Sequence, residues 1–129
     1  VKWAAKLPPE LGTPKENEQP TAFIIILRKE PFNAFADIDA GIAADKICMT
    51  AWEHGFGSCI LGSIHVKRIQ QVLDLPEDVK PRIAIALGKP AHKSTIVDVP
   101  DSGDLSYYLD EKRDYYVPKR SFDSIVKIY

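Results

Sequence analysis

Two short stretches of this chain carry residue types that could bind a ligand. In residues 59–63 (CILGS), Gly62 has no Cβ, so a backbone amide there could approach a bound group closely. Lys119 and Arg120 supply two adjacent cations of the kind that bind a phosphate monoester. Each stretch also has a plain structural interpretation: Gly62-Ser63 as a strand-to-helix turn, and Lys119-Arg120 as a solvated basic pair before a helix.

The histidines and cysteines form no metal-binding or catalytic pattern. His54, His65 and His92 are widely spaced, and none lies at ligand spacing from a cysteine or carboxylate. We interpret His54 as a helix-end residue favoured by the helix dipole and the other two as surface residues. Cys48 and Cys59 form no C-x-x-C pair, which argues against a disulfide framework or a zinc or iron–sulfur site. No base is placed beside Cys59, so we predict a buried, inert thiol.

A long helix is predicted before the first stretch. Apolar or small residues recur there at three- and four-residue steps, namely Ile38, Ala43, Ile47 and Ala51, and Ala44, Cys48 and Trp52. We predict a helix over residues 37–54, with Asp37 or Asp39 as its amino-terminal cap. Gly55 and Gly57 are predicted to end it, because glycine enters the left-handed region at no steric cost.

Two apolar runs are predicted as core strands. Residues 21–28 (TAFIIILR) lie between two prolines and are predicted to form a central, doubly buried strand. Residues 82–87 (RIAIAL) are predicted to form a second core strand. Residues 64–75 are predicted as a helix capped by Ser63. We therefore expect an α+β fold, with a small, mostly antiparallel sheet packed with helices, in a single domain over residues 1–129.

The two ends of the chain are less regular. Residues 1–20 contain four prolines and are predicted as loop, with Trp3 packing on the core. Residues 91–103 are predicted as an extended loop, residues 105–110 as a short helix or turn, and residues 122–128 as a final helix capped by Ser121. The tyrosine pairs at 107–108 and 115–116 are interpreted as packing residues, with stacking on a substrate as an alternative.

The order of several motifs resembles that of the nitroreductase-like flavoproteins. The motifs cover about the last two-thirds of the chain: Asp-x-Gly-x-Ala-Ala at 39–44, Gly-x-Gly-Ser-Cys at 55–59, Gly-Ser at 62–63, Leu-Pro-Glu at 75–77, Ala-Leu-Gly-Lys-Pro at 86–90 and Val-Pro-Lys-Arg-Ser at 117–121. The Gly-x-Gly motif does not fit a dinucleotide fingerprint, because it follows a helix and lacks the third glycine.

The resemblance implies a homodimeric, FMN-dependent oxidoreductase. Such an enzyme would pass a hydride from NADH or NADPH through the flavin to a quinone, nitro compound or similar small acceptor, with no side chain acting as acid or base. By resemblance, the backbone around Leu61, Gly62 and Ser63 lies against the flavin, and Lys119 and Arg120 contact the FMN phosphate. The helix at 37–54 would lie at the centre of the dimer interface.

The resemblance leaves alternatives open. Family members carry an amino-terminal helical segment with an Arg-x-Ser-x-Arg type of motif that binds the FMN phosphate, and this sequence shows no such motif. We therefore expect a fragment of a longer protein. A non-catalytic, dimerising remnant that binds flavin weakly or not at all is the main alternative. A flavoprotein with specialised chemistry, such as flavin fragmentation or dehalogenation, is a further one.

The composition and charge of the chain limit the binding partners and the cellular compartment that we expect. The chain has 129 residues with a formal net charge of −1, so no overall attraction to nucleic acid or to a membrane is expected. Its apolar runs are far shorter than the roughly 20 residues that a membrane-spanning helix needs, and no signal peptide is recognised. With two unpaired cysteines, we expect a reducing, cytoplasmic setting.

Overall fold

The computed structural model describes residues 6–129, so Trp3 and its expected packing lie outside the described residues. Contacts divide the chain into two compact units: the first is Glu18–Pro90, and the second combines Ala91–Tyr129 with the described residues up to Asn17. In chain order the elements are α1 (Pro9–Gly12), a 3₁₀ turn (Glu16–Glu18), β1 (Ala22–Lys29), α2 (Ala36–Glu53), β2 (Gly57–Leu61), α3 (Val66–Val72), β3 (Val79–Gly88), β4 (Ser94–Asp98), β5 (Tyr108–Leu109), β6 (Tyr115–Lys119) and α4 (Phe122–Ile125).

The first unit contains an antiparallel sheet in the order β1-β3-β2. Its centre is β3, where Ile85 is fully buried. The prediction of a core strand at 82–87 is confirmed, and the strand is longer. The prediction that residues 21–28 form a strand is confirmed, but the prediction that this strand is central and doubly buried is wrong. β1 is a strand, but it pairs only with β3 in the described sheet, and its Phe23 side chain is half exposed.

Helix α2 packs against this sheet through small residues. Ala40 and Ala44, one helical turn apart, are its buried side chains. At its end, Gly55 has a φ of +77°, and the amides of Gly55 and Phe56 donate back to the carbonyls of Trp52 and Ala51 at 2.9 Å. This is the Schellman arrangement, so the prediction that Gly55 ends the helix is confirmed.

Three other predictions about helix ends are wrong. Gly57 does not end α2, since it begins β2 and pairs with Gly88. Neither Asp37 nor Asp39 caps α2, because the amino-terminal cap residue is Phe35, which makes no side-chain cap hydrogen bond. Ser63 does not cap α3, which begins after His65 and likewise has no side-chain cap.

The second unit contains a small mixed sheet that the sequence patterns did not predict. β4 runs parallel to β6, and the short β5 runs antiparallel to it, so the order is β4-β6-β5. The predicted loop at 91–103 therefore contains a strand, and the predicted helix or turn at 105–110 is wrong. The final helix is α4, shorter than predicted; Ser121 is at its cap position but makes no side-chain cap bond.

The side-chain contacts of Asp110 and Asp114 explain this second sheet. Asp110 accepts hydrogen bonds from the amides of Lys112 and Asp114 at 2.9 Å, which fixes the turn before β6. Asp114 accepts from the amide of Lys93 at 2.7 Å, which joins the start of β4 to the start of β6. Tyr108 and Tyr116 stack with their ring centroids 5.3 Å apart. These two tyrosines therefore contact each other across the β5–β6 pair.

In the part of the chain that is described, no helix combines the length and apolarity that crossing a membrane requires.

Candidate functional site

Gly62 follows directly after the end of β2 and is open to its surroundings. Leu61, the last residue of β2, is buried and pairs with Ala84 of the central strand. A Cβ built on Gly62 would meet no heavy atom within 4 Å. Gly62 and Ser63 are both exposed. A buried strand end therefore holds an accessible backbone in a fixed position.

Gly62 borders an open cleft in the first unit, which we call the Gly62 cleft. Its volume is about 400 Å³, within the range of small-molecule sites. Five of its lining side chains are ionisable, whereas Ile64, Val66 and Pro81 provide apolar surface. The ionisable residues are Arg28, Glu30, Asp37, Lys80 and Arg82. Ser63, which the sequence placed at the same site, does not line the cleft.

A shared carboxylate organises the charges of the cleft. Asp37 Oδ1 accepts from Arg28 Nη1 at 2.9 Å and from Arg82 Nε at 2.8 Å, and its Oδ2 accepts from Arg82 Nη2 at 3.1 Å. The hydrogen bond from Arg82 is the main reason that the pKa of Asp37 lies below its ordinary value. Asp37, the second residue of α2, therefore joins the first turn of the helix to β1 and β3.

Arg82 reaches Asp37 from an irregular point in the sheet. Ile26 pairs with Ile83, but the next residue, Leu27, pairs with Pro81, so Arg82 is an extra residue in β3. Such a β-bulge locally twists a strand and can redirect a side chain, and proline is tolerated inside sheets at such irregularities. The bulge at Arg82 thus has a clear local consequence: a guanidinium faces Asp37 and the cleft.

Arg28 is held by an aromatic ring as well as by Asp37. Its guanidinium lies 3.5 Å from the centroid of Phe32, a cation–π contact. Its Nε is buried and has no hydrogen-bond partner among the described residues. Arg28 also lies opposite Lys80 in the β1–β3 register. Because directly opposed residues share a face of an antiparallel pair, two cations are adjacent here.

Lys119 and Arg120 lie in the second unit. Lys119 is the last residue of β6, Arg120 follows it, and both are exposed. Pro118 before them is buried, so the strand end is anchored while the two cations remain accessible. The predicted ring-contacting residues and the predicted phosphate-contacting residues therefore belong to different units.

In the described part of the chain, the remaining reactive side chains do not assemble into a second site. His54 is the residue after α2, and its Nδ1–H donates to the carbonyl of Thr50 at 2.9 Å. Cys59 is exposed, so the prediction of a buried thiol is wrong. Even so, packing around its sulfur, together with Cys48, raises the pKa of the Cys59 thiol. Among residues 6–129, no group of three or more His, Cys, Asp or Glu side chains is arranged to hold a metal ion.

The sequence reasoning missed Arg28, Lys80 and Arg82 as residues of the cleft. Their signal was available: Arg28 ends one apolar run, and Lys80-Pro81-Arg82 begins another that pairs with it. A proline at the start of a predicted strand is a sign of a bulge or strand end. Recognising the antiparallel pairing of these runs would have brought the cations together.

Comparisons with known sequences identify relatives of part of the chain. Residues 13–89 match the profile of the Nitroreductase family. An NADPH-dependent oxidoreductase of Staphylococcus aureus (strain USA300) is 43% identical over 56 residues, which are 42% of this chain and 22% of the relative. The match thus spans about a fifth of the relative's length.

Solved structures share the fold at low sequence identity. An FMN- and NADPH-dependent nitroreductase from Sphigopyxis sp. strain HMH superposes with a TM-score of 0.60 at 14% identity, covering 82% of this chain and 42% of that one. A putative NADH dehydrogenase/NAD(P)H nitroreductase from Bacteroides thetaiotaomicron gives a TM-score of 0.53 at 23% identity, covering 72% and 60%. These likenesses confirm the predicted α+β nitroreductase fold. Together with the profile match over more than half of its residues, they show that the chain belongs to the Nitroreductase family.

Proposed function

We propose that the protein is an FMN-dependent oxidoreductase that takes a hydride from NADH or NADPH and passes electrons to a small acceptor such as a quinone or nitro compound. The observation that carries the proposal is the open backbone at Gly62, fixed by the buried end of β2 and bordered by a cleft. Family membership supports the same activity.

The residues of the Gly62 cleft fit a planar, polar-edged ring. Ile64, Val66 and Pro81 offer apolar surface for the flat face of an isoalloxazine. The absence of a Cβ at Gly62 leaves room for the ring edge to approach the backbone. When bound, FMN would supply the hydride chemistry. The chain's residues would bind and orient the ring, exclude water from it, and leave proton transfer to the ring and its partners.

We further propose that Lys119 and Arg120 bind the phosphate monoester of FMN. Both side chains are exposed at the end of an anchored strand. Two cations match the charge of a phosphate, and an arginine can bind two of its oxygens at once.

We also propose that the protein is a homodimer in which α2 forms the contact. Four large apolar side chains on one face of α2 are more than half exposed, at 55–70% of their surface: Ile38, Ile42, Met49 and Trp52. Their spacing of 4, 11 and 14 residues places them within one stripe of the helix. Exposed apolar stripes of this kind are typical of protein–protein contacts.

We propose that the protein works in a reducing, cytoplasmic compartment. The free thiols of Cys48 and Cys59 support this proposal.

The test of the proposed function is FMN binding by variants of the two predicted contacts. Gly62→Val adds a branched side chain where the ring would lie and should weaken FMN binding about tenfold or more, whereas Ser58→Val, within the strand that precedes Gly62, should not. Lys119→Ala with Arg120→Ala should weaken FMN binding about tenfold to a hundredfold. The double variant should leave binding of riboflavin, which lacks the phosphate, unchanged.

The measurement is quenching of flavin fluorescence on titration with protein, followed by NAD(P)H oxidation with menadione as acceptor. A wild-type protein that forms a dimer but binds neither FMN nor riboflavin would contradict the proposal and support the non-catalytic alternative. Equal FMN affinity in wild type and Gly62→Val would remove Gly62 from the site.

A further inference from the structure

We propose that two copies of α2 pack antiparallel about a two-fold axis beside Asp45 and Lys46, so that Asp45 of each copy forms an ion pair with the partner's Lys46. This inference rests on the proposed homodimer and deepens it. It names the orientation of the two helices and the charged residues that favour a second copy of this chain as the partner.

Asp45 interrupts the exposed apolar stripe of α2 at its centre. Four exposed apolar residues flank it, seven and three residues before it and four and seven residues after it, namely Ile38, Ile42, Met49 and Trp52. Steps of three, four and seven residues stay on one face of a helix. Asp45 therefore shares the face of the apolar residues, whereas the buried Ala40 and Ala44 lie about 140° and 100° around the helix from it.

The spacing is nearly symmetric about Asp45, and this symmetry indicates the orientation. In an antiparallel pair with two-fold symmetry, the numbers of two facing residues have a constant sum, because the same surface is used by both copies. The axis near Asp45 places Ile42 opposite the partner's Met49 and Ile38 opposite the partner's Trp52. Every apolar residue of the stripe then meets another one. A parallel pair would instead place Asp45 opposite the partner's Asp45, with like charges in contact.

The charges at the centre of the stripe are complementary in the antiparallel arrangement. The register that pairs Ile42 with the partner's Met49 also pairs Asp45 with the partner's Lys46, and the two-fold axis repeats this ion pair. The Asp45 and Lys46 side chains are 65% and 77% exposed, so both can reach a second copy. A polar residue within an apolar helix seam can fix the register and orientation of a helix pair.

The simpler interpretation is a solvated ion pair on an exposed helix. Adjacent helix positions do not share a face, and the 3.8 Å contact between Asp45 and Lys46 joins two mostly exposed groups. Such a contact contributes little to stability. This interpretation gives no reason for a charged pair at the centre of an apolar stripe, whereas pairing across the axis does.

Charge reversal tests the ion pairs. Asp45→Lys brings lysine side chains of both copies together at the axis, and Lys46→Asp does the same with carboxylates, so each should raise the Kd of the dimer at least about tenfold. The double variant restores opposite charges across the axis and should recover most of the wild-type affinity. Sedimentation equilibrium gives the Kd. Because salt screens charges, the difference between wild type and the single variants should shrink as the salt concentration rises.

Glu111 and Lys112 provide the matched control. They are also adjacent residues of opposite charge, and both are exposed at a turn of the second unit. Glu111→Lys and Lys112→Asp make the same changes in net charge and should leave the Kd of the dimer unchanged. Far-UV circular dichroism checks that all variants are folded.

Disulfide trapping tests the orientation directly, with both native cysteines replaced by serine. In the antiparallel pair, residue 38 lies about 21 Å along the helix axis from residue 38 of the other copy, and a disulfide needs Cα atoms within about 7 Å. Ile38→Cys should therefore not cross-link to itself. A mixture of Ile38→Cys and Trp52→Cys proteins should give cross-links between the two variants, which mass spectrometry identifies.

The outcomes separate this inference from the proposed homodimer. Weaker dimers in both single reversals, recovery in the double variant and mixed cross-links support the inference. A dimer with the same Kd in all charge variants, a double variant as weak as the single ones, or self cross-linking of Ile38→Cys overturns the inference and leaves the homodimer standing. A monomeric wild-type protein overturns both.

Discussion

Asp37 and Arg82 are 45 residues apart in the chain, yet the carboxylate of Asp37 accepts from both Nε and Nη2 of Arg82, at 2.8 and 3.1 Å. The same carboxylate accepts from Arg28 of the neighbouring strand. One acidic residue in the first turn of α2 thus contacts two strands at once. Its loss should affect the docking of the helix as well as the charge of the Gly62 cleft.

Replacing Asp37 by Asn should destabilise the protein at neutral pH. The amide cannot balance two guanidinium charges, so Arg28 and Arg82 would be left in mutual repulsion. Asp45→Asn is the matched control, because Asp45 lies in the same helix and its ion pair within residues 6–129 is a 3.8 Å contact with Lys46. Urea unfolding at pH 7 should show a lower midpoint for Asp37→Asn than for Asp45→Asn, and equal midpoints would contradict the prediction.

The contribution of Asp37 should also depend on pH. Its pKa is lowered in the folded protein, so its stabilising effect is complete above the unfolded-state value, about 3.9. The effect is lost as the pH falls through the lower, folded-state value, because protonation is then forced on the paired carboxylate. The difference in unfolding free energy between wild type and Asp37→Asn should therefore shrink as the pH is lowered below about 4. If the difference in unfolding free energy grew as the pH fell, the pKa of Asp37 would be raised on folding, which would contradict the prediction.

Ile85→Ala should be strongly destabilising. Ile85 is fully buried in the central strand of the first sheet, and truncation there removes buried surface and leaves a cavity. A loss of about 3 kcal/mol in unfolding free energy is expected. Val72→Ala, at a position on α3 that is 66% exposed, should change it by less than about 0.5 kcal/mol. Chemical denaturation of both variants checks the contrast.

Ile42→Asp should convert the proposed dimer into monomers. Ile42 is 57% exposed and lies within the apolar stripe of α2, so a carboxylate there would be buried without a partner on association. Thr50→Asp introduces the same charge about a third of a turn away from that stripe and should leave the dimer intact. Light scattering after size-exclusion chromatography gives the two masses. A monomeric wild-type protein would remove the basis of this prediction.

Cys59 should react slowly with alkylating agents despite its exposure. Packing around its sulfur, together with Cys48, raises the pKa of its thiol, so less of the reactive thiolate is present at pH 7.5 than in a free cysteine. Iodoacetamide labelling followed by mass spectrometry should give a slower rate for Cys59 in the folded protein than in the unfolded protein. Faster labelling in the folded protein would indicate an activated thiol.

Sequence patterns predicted the elements that are long and strongly periodic. The helix ending at Gly55 and the strand around Ile85 were found, because amphipathic spacing and a bounded apolar run are local signals. The edge position of β1 was not predicted, because an apolar run has the same local pattern in a central strand and in an edge strand. The pairing partner decides the position, and it lies far along the chain.

The second sheet was missed for a related reason. β4, β5 and β6 are two to five residues long, and the contacts that define them come from side chains such as Asp110 and Asp114. Acidic residues of this kind are typical of loops, so their presence predicted irregular structure. Nothing in the local composition shows which amide each carboxylate will bind.

The candidate site was predicted in part. Gly62 was singled out because a missing Cβ is visible in any sequence, and the open space beside it fits that expectation. The three cations were not singled out, because their proximity depends on the β1–β3 register and on a single extra residue at Arg82. Long-range pairing, not residue type, brings them together.

The order of strands in the first sheet also governs when that sheet can form on the ribosome. Both outer strands pair with β3 and not with each other, and β3 is the last of the three in the chain. Ala22 of β1 therefore cannot pair until its partner, Leu87, has been synthesised. Nascent β1 and β2 therefore emerge with their hydrogen-bonding edges unpaired until residues up to Gly88 have left the exit tunnel. Arrested chains that stop before β3 should bind chaperones, and chains extended past it should release them.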